Sequence, residues 1–129
     1  MPTALVVDDE ADARAFVRAI LETEGYEVTE AADGEEALKQ ARALVPDLMV
    51  LDISMPKLNG LAVFGELTKE PETRDIKVIM LTGVGENIGM SYSAEDMGWF
   101  FGKEPAAYVE KPVSPELFQN VLKKVNEEE

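Results

Sequence analysis

The sequence predicts an α/β fold: a doubly wound, five-stranded parallel sheet with helices on both faces. Strand-like and helix-like stretches alternate five times along 129 residues, the pattern of parallel strands joined by crossover helices. Three strands, at residues 3–8, 48–52 and 78–82, are apolar almost throughout, as strands covered on both faces are. The other two, at 26–30 and 106–110, mix polar with apolar residues and belong at the edges. Right-handed crossovers between strands so placed favour the order 2-1-3-4-5. Ligands bind such sheets beyond the carboxyl ends of the strands, where the order reverses, here between the first and third strands.

The elements follow in order. The first strand ends in two carboxylates, Asp8 and Asp9. Ala13, Phe16, Val17, Ile20 and Leu21 then recur at helical spacing and predict one apolar stripe. Gly25 suits the position just past that helix, where a left-handed residue is needed. Tyr26-Glu27-Val28-Thr29-Glu30 alternates as a half-exposed strand, and Asp33-Gly34 turns the chain. Ala37, Leu38, Ala41, Leu44 and Val45 mark a second helix, closed by Pro46. Leu48-Met49-Val50-Leu51 runs without a break into Asp52. Gly60, Leu61, Phe64 and Leu67 predict a third helix, weakened by Gly65 and finished before Pro71. Val78-Ile79-Met80-Leu81 ends in Thr82, and the strand at 106–110 ends before Lys111-Pro112. Ser114-Pro115 opens the last helix with a cap and a first-turn proline, followed by Leu117, Phe118, Val121, Leu122 and Val125.

Composition narrows the chemistry. There is no histidine and no cysteine. Imidazole bases, Ser-His-Asp triads, thiol chemistry and His- or Cys-ligated zinc are therefore excluded, and any metal would be a hard, oxygen-binding cation such as magnesium. A net charge of −14 opposes direct nucleic-acid binding, which relies on Lys and Arg. No apolar run reaches the roughly 20 residues that span a membrane, and no signal peptide is evident. A single cytoplasmic domain over residues 1–129 is expected.

In the predicted topology Asp8, Asp9, Asp52, Thr82 and Lys111 all stand at strand ends on one edge of the sheet. Each has a bland reading when taken alone: helix capping for the aspartates, a loop hydroxyl for Thr82, a surface turn for Lys111. Together they read as a phosphoryl-transfer site. Gathered carboxylates repel one another unless a divalent cation and a lysine compensate. A carboxylate in such surroundings can act as nucleophile and form an aspartyl phosphate.

The chain resembles response-regulator receiver domains of the chemotaxis-regulator type, which have a flavodoxin-like fold. The likeness rests on Val6-Val7-Asp8-Asp9, Asp33-Gly34, Leu51-Asp52-Ile53-Ser54-Met55-Pro56 with Gly60, Leu81-Thr82-Gly83 and Tyr108-Val109-Glu110-Lys111-Pro112, in this order. It implies that Asp52 is phosphorylated from the histidine of a histidine kinase or histidine phosphotransfer protein. It further implies that Asp9 and Asp52 ligate Mg2+ through side chains, Asp8 through water and Ser54 through its backbone carbonyl. Lys111 and Thr82 would contact the phosphoryl group. Thr82 and Tyr108 would switch on activation, at the face formed by the last two strands and their helices. Such a domain is no enzyme in the ordinary sense: its chemistry is confined to its own Asp52. The output partner would be another protein, and the state a monomer or a phosphorylation-dependent dimer.

Two departures and two rivals complete the reading. The stretch from Thr82 to Lys111 is longer than is usual in the family and holds five of the nine glycines, with Tyr92, Trp99, Phe100 and Phe101; a short or irregular fourth helix is expected there. The Gly-Ala turn usual before the last strand is replaced by Glu104-Pro105. A magnesium-dependent aspartyl phosphatase would want a second acid two residues past the nucleophile, where Ser54 stands. The other rival is a structural pseudo-receiver acting only through protein contacts.

Overall fold

The computed structural model describes residues 2–53, 55, 59–82, 106–110 and 113–127. Five parallel strands, β1 (Thr3–Val7), β2 (Glu27–Ala31), β3 (Leu48–Asp52), β4 (Lys77–Thr82) and β5 (Ala107–Glu110), form one sheet in the order β2-β1-β3-β4-β5. This is the predicted flavodoxin-like order, and the two mixed strands are the edges. Four helices occur among the described residues: α1 (Ala11–Thr23), α2 (Gly34–Leu44), α3 (Gly60–Lys69) and α4 (Pro115–Glu127). The glycine-rich stretch after Thr82, with its expected short helix, lies outside the described residues.

The alternation of side chains along each strand divides the core in two. Leu5, Val7, Met49, Leu51, Val78 and Met80 pack with Ala37, Leu38 and Ala41 of α2 and Val63, Phe64 and Leu67 of α3. Ala4, Val6, Leu48, Val50, Ile79 and Leu81 face the other way, onto Val17, Ile20 and Leu21 of α1 and Phe118, Leu122 and Val125 of α4. β3 is buried along its whole length, and this explains why it reads as a continuous apolar run.

Helix boundaries follow from local chemistry. α1 ends in a Schellman motif: Gly25 has φ +93°, and the N–H groups of Gly25 and Tyr26 donate to the carbonyls of Glu22 and Leu21 at 3.1 and 3.0 Å. Asp33 is more than a turn residue. Its side chain accepts from the Glu36 N–H at 2.8 Å and starts α2 at Gly34. Asn59 caps α3 in the same way, accepting from Ala62 at 2.9 Å. Ser114 caps α4 through Leu117 at 3.4 Å. Gly65 is buried within an unbroken α3.

The apolar stripes are narrower than spacing suggested. Phe16 is 45% exposed and Leu117 51%, and Leu44 and Val45 also face solvent. At about 100° per residue, Phe16 and Leu117 stand roughly a quarter-turn from the centres of their buried arcs. Val45 is not helical at all; it is the left-handed cap of α2, with φ 42°.

Candidate functional site

Sheet register places the first and third strand ends together. Val7 pairs with Leu51, so the next residues, Asp8 and Asp52, emerge side by side at the switch point. Asp52 in turn pairs with Leu81, and Thr82 follows it, half-buried, opposite Glu110 of β5. Asp8 is 1% and Asp52 2% exposed, whereas Asp9 and Glu10 face solvent. Buried carboxylates are rare unless they are paired or hold a cation.

The β1 end is built from hydrogen bonds. The Asp8 N–H continues the sheet by donating to Ala31 at 3.2 Å. Its Oδ1 accepts from the Glu10 N–H at 3.0 Å, turning the chain into α1. Its carbonyl accepts from the Arg14 guanidinium at 2.8 Å. Arg14 also donates to Glu30 of β2 at 3.0 Å, and Arg18 donates to the other oxygen of Glu30 at 2.7 Å. These bonds, that to Arg18 foremost, hold the Glu30 carboxyl below the usual glutamate range; Glu30 in turn raises Arg18.

The β3 end is built by close approach. The Gly60 N–H donates to the Ile53 carbonyl at 2.9 Å, and the Ile53 N–H to Leu81 at 3.1 Å. A Cβ at Gly60 would fall on the Asp52 carbonyl oxygen and within 2.8 Å of the Ile53 Cα. Only glycine lets α3 start against the strand end that carries Asp52.

A hard divalent cation suits this edge. One carboxylate oxygen from each of Asp8, Asp9 and Glu10 lies within 4.8 Å of the others, and Asp52 leaves the neighbouring strand. All are oxygen donors of the kind magnesium takes. Glu10 is a member that the sequence reading did not single out; its signal was three consecutive acids after a strand. Ser54 and Lys111 lie outside the described residues. Tyr108 is half-buried in β5, against the cluster on the α2–α3 side of the sheet.

The comparisons with known proteins agree with one another. The family model described as "Response regulator receiver domain" matches residues 4–123. The chain is 42% identical over 125 residues to the "Probable transcriptional regulator ycf27" of Pyropia yezoensis, covering 94% of this chain and 46% of the relative. It thus spans about half the length of the curated relatives it matches. The chemotaxis response regulator CheY4 of Vibrio cholerae superposes with a TM-score of 0.82 at 29% identity, covering 97% of this chain and 98% of that one. The receiver domain of NtrX from Brucella abortus gives 0.80 at 34% identity, with coverages of 96% and 98%. Among the described residues no helix is long and apolar enough to cross a membrane. With its five-stranded order, its paired strand-end aspartates and these relatives, the chain belongs to the response regulator receiver domain family of two-component signalling.

Proposed function

We propose that the chain is the phosphoacceptor of a cytoplasmic phosphorelay, in which Asp52 takes a phosphoryl group from a phosphohistidine on a histidine kinase or histidine phosphotransfer protein. The observation that carries this reading is the register. It sets a buried Asp52 between Asp8 and Asp9 on one side and Thr82 on the other. The chain contains no histidine, so the donor imidazole lies outside it.

In the transfer, a carboxylate oxygen of Asp52 attacks phosphorus. A P–O bond forms, the P–N bond breaks, and its electron pair returns to the imidazole nitrogen. Asp9 and Asp52 would hold magnesium through their side chains, with Asp8 through water and Ser54 through its carbonyl. When bound, the ion neutralises charge on the phosphoryl oxygens. Lys111 and the Thr82 hydroxyl donate to those oxygens. Water later attacks phosphorus, releasing inorganic phosphate and restoring the carboxylate. The domain therefore acts on its own side chain rather than on a free substrate. Output passes through Thr82 and Tyr108 to a protein partner, as a charge event biasing a two-state surface.

Incubation with acetyl phosphate and Mg2+ is expected to add one phosphoryl group by intact-mass spectrometry, and Asp52→Asn to remove it. An unlabelled wild-type chain under those conditions overturns the reading.

A further inference from the structure

Arg14 touches the acidic turn without belonging to it. Its guanidinium donates 2.8 Å to the Asp8 carbonyl and 3.0 Å to the Glu30 carboxylate. It stands one helical turn past Glu10, whose carbonyl accepts from the Arg14 N–H at 3.1 Å. One planar fork thus joins α1, the turn after β1, and the edge strand β2. The Asp8 carbonyl is half of the peptide that connects Asp8 to Asp9. A planar peptide whose oxygen is fixed has its N–H and following Cα fixed too. The side chains of Asp8 and Asp9 leave from either end of that peptide.

The N–H and Oδ1 of Asp8 have separate anchors, Ala31 for the N–H and the Glu10 N–H for Oδ1. The carbonyl, which sets the orientation of the Asp8–Asp9 peptide, is held by Arg14. Glu30 braces the fork directly through Oε1, which accepts from the Arg14 Nε–H at 3.0 Å, while Arg18 bonds the other oxygen at 2.7 Å. A guanidinium suits this task and an ammonium does not: two rigid, divergent N–H groups reach two acceptors on different elements at once.

We propose that Arg14 is a positioning residue for the divalent-cation site, acting through the Asp8–Asp9 peptide, with Glu30 as its brace. The inference rests on the magnesium-dependent reading above. It adds that the site's affinity is set from outside its ligands, as outer contacts set it in other metal sites.

The test is calorimetric titration of the whole chain with Mg2+ alone, together with phosphorylation by acetyl phosphate across a Mg2+ series. In Arg14→Met the Mg2+ dissociation constant is expected to rise roughly tenfold. The phosphorylation rate at saturating Mg2+ should stay near wild type, so that the defect lies in half-saturation and not in the maximal rate. Arg14→Lys keeps the charge, guards against a folding failure, and should be impaired almost as much. Arg18→Met loosens the same helix–strand contact while leaving the Asp8 carbonyl bonded; it should bind Mg2+ within about twofold of wild type. Wild-type affinity in both Arg14 variants overturns the inference and leaves the parent reading intact. So does an equal loss in Arg18→Met, which would mark Arg14 as glue between α1 and β2. A wild-type chain that binds no Mg2+ overturns the parent reading and this inference together.

Discussion

The carboxylates at the ends of β1 and β3 reach the same edge of the sheet by opposite means. Behind Asp8 stands a chain of charged hydrogen bonds, from Arg14 to Glu30 to Arg18. Behind Asp52 stands a steric fit, with the Asp52–Ile53 backbone lying where a side chain at Gly60 would have to go. A charged brace is weakened by salt and by acid; a steric fit is indifferent to both. The support of the β1 turn therefore depends on conditions, and that of the β3 end does not. On the proposed phosphoacceptor reading, that division would suit a site where a cation comes and goes while the attacking oxygen keeps its place.

The largest effect expected is at Gly60. Gly60→Ala forces a methyl group onto backbone atoms of Asp52 and Ile53 that cannot rotate away, and overpacking of this kind costs about 3 kcal/mol. Urea unfolding should show that loss undiminished in 1 M salt. A loss that disappeared in salt would erase the contrast between the two strand ends.

A smaller, condition-dependent effect is expected at Glu30. Its carboxyl is held below the ordinary value by Arg18 and Arg14, so its contribution is present above the ordinary glutamate range near pH 4.3 and is lost as pH falls through the lowered value. The stability gap between wild type and Glu30→Gln should be widest at neutral pH, close below about pH 4, and shrink in 1 M salt, where the screening length falls to about 3 Å. A gap independent of pH would mean that Glu30 acts by packing, and the division into charged and steric halves would fail.

The smallest effect sharpens the steric half from the opposite end of the sheet. Val45 is exposed at φ 42°, a left-handed geometry that a β-branched residue adopts at a cost and glycine adopts freely. Val45→Gly should be neutral or stabilising, by up to about 1 kcal/mol in urea unfolding, with phosphorylation unchanged. At Gly60 a Cβ is forbidden by neighbouring backbone; at Val45 it is only uncomfortable.

Much of this was legible before any coordinates. An unbroken apolar run into Asp52 can scarcely be anything but a central strand, and the mixed residues at 26–30 mark an edge whatever the rest does. Sheet order and the gathering of Asp8, Asp9, Asp52 and Thr82 at one edge then follow from handedness and strand-end chemistry. Helix faces were less legible. Phe16 and Leu117 keep helical spacing with buried neighbours yet stand outside the arcs that α1 and α4 press on the sheet, because spacing fixes a stripe's period and not its width. In sequence Asp33-Gly34 has the pattern of a turn, and capping and turning draw on the same side chains. The Arg14–Glu30 contact was illegible, as it joins residues 16 apart on elements whose relative rotation only the packed structure sets. Ser54, Lys111 and the glycine-rich stretch that follows Thr82 lie outside the described residues.

Complete burial of β3 has a consequence for how the proposed phosphorylation of Asp52 would be felt elsewhere in the sheet. Amide protons of a strand hydrogen-bonded on both sides and packed on both faces exchange only through the largest openings of a fold, whereas edges open at small cost. Asp52 sits on such a strand, so charge added there meets a support that does not give. On the proposed reading, the compliance would lie instead at an edge, along the four residues of β5, three of which are not fully buried. Such a domain would separate its chemistry from its compliance: bonds would change on the most buried strand, and shape at an edge.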